Sequence, residues 1–221
     1  DFNMSKVFFD ELNIPKPDYQ FDIQGSSQGA QTAQMLDNIE QVLMDEKPNM
    51  VLVYGDTNST LAGALAASKM QIPLAHIEAG MRSFNKVMPE ELNRIMTDHA
   101  STLLFSPTNT GIKNLEKEGF TIPHSGEVSI DNAKVYHCGD IMLDNSLYFS
   151  DIAAQKSKVL RQHGLEQDKF ILATVHRNTT TDEPKRLTSL IESLLDLAIN
   201  YNEKVVFPLH PRTLKMLKRE E

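Results

Sequence analysis

The chain predicts an α/β fold with parallel strands, and three observations carry that expectation. Short apolar runs alternate with helical apolar spacing along the whole length. The clearest run, Met50–Tyr54, is continuously apolar, as a buried parallel strand requires. Four runs stop at reactive polar residues, Asp56, Glu78, His176 and His210. Open α/β sheets gather their ligands at the carboxyl ends of their strands.

The elements follow in order. Asp1–Asn13 has the spacing of a short helix (Met4, Val7, Phe8, Leu12), stopped by Ile14-Pro15-Lys16-Pro17. Tyr19–Ile23 reads as extended. Gln28–Glu46 is helical through Met35, Leu36, Ile39, Val42 and Leu43, with Pro48 beyond its end. After the strand Met50–Tyr54, Ser59–Met70 is rich in Ala and Gly, which lets a helix lie close on a sheet. Pro73–Ile77 is the next strand. Glu90–Ala100 is a helix with Leu92, Ile95, Met96, His99 and Ala100 on one face and Pro89 at its entry. Leu103–Phe105 is a strand. Thr108 caps a helix over Gly111–Glu118, which Gly119 ends.

His124–Asn132 is a polar loop and Ala133–Gly139 a strand. Ile141–His163 is helical with a break expected near Ser150-Asp151, and Gly164 stops it. Lys169–Val175 is a strand and Asn178–Asp182 a polar loop. Pro184–Asn200 is amphipathic through Leu187, Leu190, Ile191, Leu194, Leu195 and Ala198. Lys204–Leu209 is the last strand. The alternation means βαβ units, and the change of domain is expected within Ile141–Leu165, giving domains over 1–145 and 146–221. The chain opens without Met among helix-like residues and stops in the charged run Lys215–Glu221, which predicts a fragment of a longer protein.

Composition narrows the function. The 221 residues are 40% hydrophobic and 24% charged, enough for a core, with a net charge of −8. No basic cluster precedes the last residues, which argues against nucleic acid or an anionic membrane as partner. No apolar run approaches the ~20 residues of a membrane span, and no signal peptide is recognisable. A single cysteine, Cys138, excludes an intrachain disulfide and suits the cytoplasm. No spacing among the seven histidines resembles a zinc site. There is no Gly-x-Gly-x-x-Gly fingerprint and no Walker lysine loop.

Several loop residues have two readings each. Asp56, in Gly55-Asp56-Thr57-Asn58-Ser59-Thr60, is a catalytic carboxylate beside a hydroxyl-rich helix start, or a helix cap. Glu78 follows a buried strand and is less easily a cap; Arg82 could pair with it. Glu90 and Glu91 suit the first turn of a helix by charge alone, and Asn93 and Arg94 are equally ambiguous. His176-Arg177 and His210-Pro211-Arg212 at strand ends could contact phosphate, or be surface pairs. His76, His99 and His137 sit in apolar elements and read as structural.

Taken together the motifs resemble the UDP-N-acetylglucosamine 2-epimerase family. The matching stretches are Gly55-Asp56-Thr57, His76-Ile77-Glu78-Ala79-Gly80-Met81-Arg82, Pro89-Glu90-Glu91-Leu92-Asn93-Arg94, Phe105-Ser106-Pro107-Thr108 and Val175-His176-Arg177. The resemblance implies two Rossmann-like domains facing across a cleft, GT-B-like, both incomplete here. It implies inversion at C2 of a UDP-N-acetyl-hexosamine through a 2-acetamidoglucal, for cell-surface polysaccharide precursors, by a cytoplasmic homodimer with no cofactor. Asp56, Glu78 and Glu90 match the family's acid–base carboxylates and His176 its phosphate-contacting histidine. Arg82, Arg177, Thr57 and His210 are the expected substrate contacts.

The chain departs from the family pattern in lacking the opening strand with its Gly-Thr-Arg-Pro-Glu loop and the later Ser-Gly-Gly and Glu-Glu region. The 221-residue chain alone is therefore expected to be inactive. His210-Pro211-Arg212-Thr213 resembles branches acting on modified hexosamines. A hydrolysing epimerase releasing free mannosamine sugar, a GT-B glycosyltransferase and a non-catalytic binding module are the alternatives.

Overall fold

The computed structural model describes residues 6–25, 27–167, 169–175 and 177–217. The chain divides into two compact units, the first ending at Asn145 and the second starting at Ser146. Unit 1 contains α1 (Lys6–Glu11), α2 (Gln28–Glu46), β1 (Val51–Tyr54), α3 (Asn58–Lys69), β2 (Leu74–Ile77), α4 (Pro89–His99), β3 (Leu103–Ser106), α5 (Asn109–Lys117) and β4 (Lys134–His137). Helix α6 (Ile141–Lys156) crosses the boundary. Unit 2 continues with α7 (Val159–Gln162), β5 (Phe170–Leu172), α8 (Asn178–Thr181), α9 (Pro184–Tyr201), β6 (Lys204–Val206) and α10 (Pro211–Leu217). Among the described residues no helix is long and apolar enough to cross a membrane.

The four strands of unit 1 pair in the order β1-β2-β3-β4, all parallel. Their register aligns Val53, His76, Leu104 and Val135 in one row across the sheet. Both apolar clusters lie on the face of this row. Leu43 of α2 and Ala64, Ala66 and Ala67 of α3 pack with Val53 and Leu74, while Leu115 of α5 packs with Leu104 and Ala133. The small residues of α3 do what their composition predicts. Ala62, Ala64, Ala66 and Ala67 are fully buried, and a Cβ on Gly63 would approach Val53 Cγ1 to 3.1 Å. The continuous apolarity of Met50–Tyr54 predicts burial on both faces, but Leu52 and Tyr54 are exposed, because these clusters cover one face only. On that open face Phe105 stacks on Tyr136 at 5.1 Å between ring centroids.

Other departures have local causes. Helix α6 runs unbroken through Ser150-Asp151 and stops after Lys156. There the Ser157 amide closes the last turn on Ala153, and its hydroxyl accepts the Val159 N–H at 3.3 Å to start α7. Residues expected as loop at 178–181 form the single turn α8. Tyr19–Ile23 joins no ladder, and β5 and β6 are shorter than their apolar runs. In unit 2, β5 and β6 are parallel, so the loops after both leave from one edge.

The loop after β2 crosses the start of α5 in backbone contact. Gly80 has φ +78°, and a Cβ there would lie 2.5 Å from the Gly111 carbonyl oxygen. Only glycine fits both the conformation and the gap. Gly80→Ala is expected to lower stability by roughly 2 kcal/mol or more through overpacking and backbone strain. The urea midpoint of unfolding measures it, and an unchanged midpoint contradicts the close approach.

Candidate functional site

The carboxyl edge of the unit 1 sheet gathers two loops and a helix. After β1 the chain turns at Gly55, with φ +64° and its N–H donating to Ile77 O at 3.1 Å. The cap of α3 is Thr57, whose hydroxyl accepts from the Thr60 amide while the Thr60 hydroxyl accepts from the Thr57 amide. Asp56 is therefore not the cap. Its carboxylate accepts a hydrogen bond from Arg94 Nη1 at 2.5 Å and stays 29% exposed.

After β2, Glu78 adopts φ +81°, uncommon for a residue with a side chain. The amides of Glu78 and Ala79 both donate to Phe105 O, at 3.1 and 3.0 Å, which pins this turn to β3. The Glu78 carboxylate comes to lie against Gly55, where a Cβ would be 3.4 Å from Oε2. Burial pushes the Glu78 carboxyl up from its ordinary pKa, and the Asp56 and Asp140 carboxylates push the same way, against Arg94 and His76. Such a group can exchange protons closer to neutral pH than a free carboxylate.

The third contribution comes from α4, and it corrects the expected orientation of that helix. The buried residues are Glu91, Asn93, Thr97 and Asp98, while Leu92 and Met96 are exposed. Glu91, not Glu90, is the buried acid. It accepts the Ser83 and Phe84 amides at 2.8 Å each, the Ser83 hydroxyl at 3.0 Å and Arg94 Nη2 at 3.0 Å. Burial alone would push its carboxyl up, but the hydrogen bonds from Ser83, Arg94 and Phe84 outweigh that and hold it at about 2. Asn93 donates to Asp56 O at 2.9 Å and to Asn58 Oδ1 at 3.1 Å. Arg94 thus bridges Asp56 to the buried Glu91, while Glu90 lies exposed in the first turn.

Arg82 is committed inward. It pairs with Asp98 at 2.7 Å and with both oxygens of Glu118 at 2.7 Å, rather than with Glu78, and its side chain is 1% exposed. Arg82, expected as a substrate contact, thus has its guanidinium in these internal pairs. Asp98 Oδ2 also accepts the Gly80 amide at 3.0 Å, and Oδ1 lies 2.6 Å from His76 Nδ1.

In unit 2, Arg177 is exposed and precedes α8, and its carbonyl accepts the Thr180 and Thr181 amides at 3.0 Å. His210 precedes α10. The buried Thr213 hydroxyl donates to Val175 O at 2.8 Å, tying the first turn of α10 to the loop after β5. His176 lies outside the described residues. Among the described residues no group of three or more His, Cys, Asp or Glu side chains is placed to hold a metal ion.

Asp98 escapes the sequence reading altogether, while His76, Glu91, Asn93 and Arg94 lie inside its motifs without a role assigned to them. A signal existed: Glu91, Arg94 and Asp98 follow i, i+3, i+7, a polar stripe on one helix face.

The two shifted acids have opposite linkage. Glu91, depressed from 4.5 to about 2, stabilises the fold fully above pH 4.5 and loses that contribution as pH falls towards 2. Glu78, raised above 4.5, favours the protonated fold, so its contribution is present at low pH and fades as pH rises through its folded value. Glu91→Gln should therefore cost roughly 3 kcal/mol at neutral pH and progressively less below pH 4.5. Urea midpoints of both proteins across this range measure it, and a gap independent of pH contradicts it.

Comparison with known proteins places the chain. A family model described as UDP-N-acetylglucosamine 2-epimerase matches residues 1–221. The chain is 52% identical over 219 residues to a UDP-2,3-diacetamido-2,3-dideoxy-D-glucuronate 2-epimerase of Pseudomonas aeruginosa, covering 99% of this chain and 58% of the relative. It is 42% identical to a UDP-N-acetylglucosamine 2-epimerase of Methanocaldococcus jannaschii, covering 98% of this chain and 57% of the relative. The crystal structure of the M. jannaschii UDP-GlcNAc 2-epimerase in complex with UDP-GlcNAc and UDP superposes with a TM-score of 0.83, 41% identity and coverage of 97% of this chain and 57% of that one. The UDP-GlcNAc-bound enzyme of Neisseria meningitidis superposes with a TM-score of 0.80 at 31% identity, covering 99% of this chain and 58% of that one. The chain thus spans a little more than half the length of these relatives. Its match to the family model from end to end, and its α/β architecture on parallel sheets, make this chain a member of the UDP-N-acetylglucosamine 2-epimerase family.

Proposed function

We propose that the intact protein inverts C2 of a UDP-N-acetyl-hexosamine without releasing the sugar. The observation that carries this reading is the set of acids at one sheet edge: Asp56 held by Arg94, Glu78 with a raised pKa beside it, and Glu90 at the start of the neighbouring helix. In the reaction a carboxylate takes the C2 proton while the C1–O bond to UDP breaks, its electron pair leaving on the diphosphate. The 2-acetamidoglucal that results takes UDP back at C1 and a proton on the other face of C2. Two proton transfers on opposite faces need more than one acid–base group, and this edge carries them.

Arg177, with His176 before it, supplies positive charge for the departing diphosphate, and His210 and the Thr57 hydroxyl line the sugar nucleotide's contacts. Arg82 is read as a further substrate contact, besides anchoring its loop through Asp98 and Glu118. The modified branch of substrates, a 2,3-diacetamido-uronate sugar nucleotide above all, is favoured by the 52% identical relative and by His210-Pro211-Arg212-Thr213. The same reading makes the protein a cytoplasmic homodimer serving polysaccharide precursors.

Incubation of the intact protein in D2O with UDP-GlcNAc and with the 2,3-diacetamido-uronate analogue tests this by NMR. Deuterium is expected at C2 with UDP still attached. Free sugar plus UDP would mean hydrolysis, and transfer without exchange at C2 a glycosyltransferase; either overturns the reading. Asp56→Asn and Glu78→Gln should each cut turnover by ~100-fold or more, and near-normal turnover removes that residue from the mechanism.

A further inference from the structure

Asp56 is held at two points by one helix. Asn93 Nδ2 donates to the Asp56 carbonyl oxygen at 2.9 Å and to Asn58 Oδ1 at 3.1 Å, while Arg94 Nη1 donates to Asp56 Oδ2 at 2.5 Å. The two donors are successive residues in the second turn of α4. Neighbouring side chains on a helix point in different directions, so one reaches the peptide of Asp56 and the other its carboxylate.

Both donors are themselves anchored. Asn93 is only 5% exposed. Arg94 donates through Nη2 to Glu91 Oε2 at 3.0 Å, and the buried Glu91 is fixed by the Ser83 and Phe84 amides. The planar guanidinium therefore takes its orientation from two carboxylates on different elements, which a single ammonium cannot reproduce. Arg94 Nε is buried with no hydrogen-bond partner. Leaving that N–H unsatisfied is unfavourable, so the bridge between the acids, not the needs of Arg94 itself, sets how the group lies.

The bridge treats the two oxygens of Asp56 differently. Oδ2 is occupied by Arg94, whereas among the described residues no protein donor meets Oδ1, and the side chain keeps 29% exposure. A carboxylate with one oxygen fixed and the other open has the geometry of a positioned proton acceptor.

We propose that Asn93 and Arg94 are the positioning residues of Asp56, and that they present Oδ1 as the oxygen that exchanges a proton with C2 of the sugar. In that step the C2–H bond breaks, its electron pair forms the C1–C2 double bond as UDP leaves, and the proton passes to Oδ1. The proposal rests on the acid–base role given above to Asp56.

A double-mutant cycle in the intact protein tests it, read as deuterium exchange at C2 in D2O with UDP-GlcNAc and with the 2,3-diacetamido-uronate analogue. Arg94→Lys keeps the charge but not the fork, and should lower kcat by about 10-fold or more with KM within about twofold of native. Asn93→Ala should do the same through the main-chain contact, and it completes the cycle if Arg94→Lys does not fold. In an Asp56→Asn background each substitution should change kcat by less than about twofold, because the group it positions no longer takes the proton. Equal fold-losses in both backgrounds overturn the proposal, since they mean action on the substrate or on the fold at large. A raised KM with native kcat, or native kinetics in both single variants, overturns it too. A native protein that exchanges no deuterium at C2 fails the proposed reaction and the positioning role with it, whereas native exchange with additive losses fails the positioning role alone.

Discussion

Asp98 is the contact on which the edge of unit 1 depends. One fully buried carboxylate receives His76 from the middle of β2, Arg82 from the loop beyond it and the amide of Gly80 within that loop. Helix, strand and loop are thereby locked in one arrangement. Removing one partner would leave buried charge uncompensated, a far larger penalty than losing a surface ion pair. A site whose reacting groups must stand within a fraction of an ångström of their working positions benefits from such rigidity.

A second tier rests on this node. Arg94 joins the partly exposed Asp56 to the buried Glu91, and Glu91 in turn gathers the amides of Ser83 and Phe84. The loop between β2 and α4 is therefore held at two points, by Asp98 at Gly80 and by Glu91 at Ser83 and Phe84. Of the acids at this edge, the deeply buried ones organise the backbone, and the ones left accessible are those assigned to chemistry. Glu78 falls between the two classes: its turn is fixed by β3, and its carboxyl keeps a raised proton affinity because burial and two neighbouring carboxylates act together.

Much of this was legible in the chain. The alternation of apolar runs and helical spacing gave the order of strands and helices, and the polar residues after those runs marked the sheet edge of the candidate site. What local pattern could not resolve was which of several polar residues faces inward. Periodicity points the apolar residues of α4 to the core, but Leu92 and Met96 are exposed because the opposite stripe must reach Asp56, Ser83 and His76. Likewise Glu90 and Glu91 are equivalent as first-turn acids, and only the fold of the preceding loop distinguishes them. His76 reads as a core histidine, and it is one. Its ring partners, Asp98 and the Gly55 carbonyl, come from residues far off in sequence, so no local signal announces them.

The central claim is that Asp56 and Glu78 are placed to exchange protons with C2 of a bound sugar nucleotide. A crystal structure of the intact protein with an unreactive UDP-N-acetyl-hexosamine analogue bound tests it most directly. The account predicts C2 of the sugar within about 3–3.5 Å of at least one of these two carboxylates, the reach that proton transfer requires. A sugar ring bound with C2 turned away from both acids would contradict it.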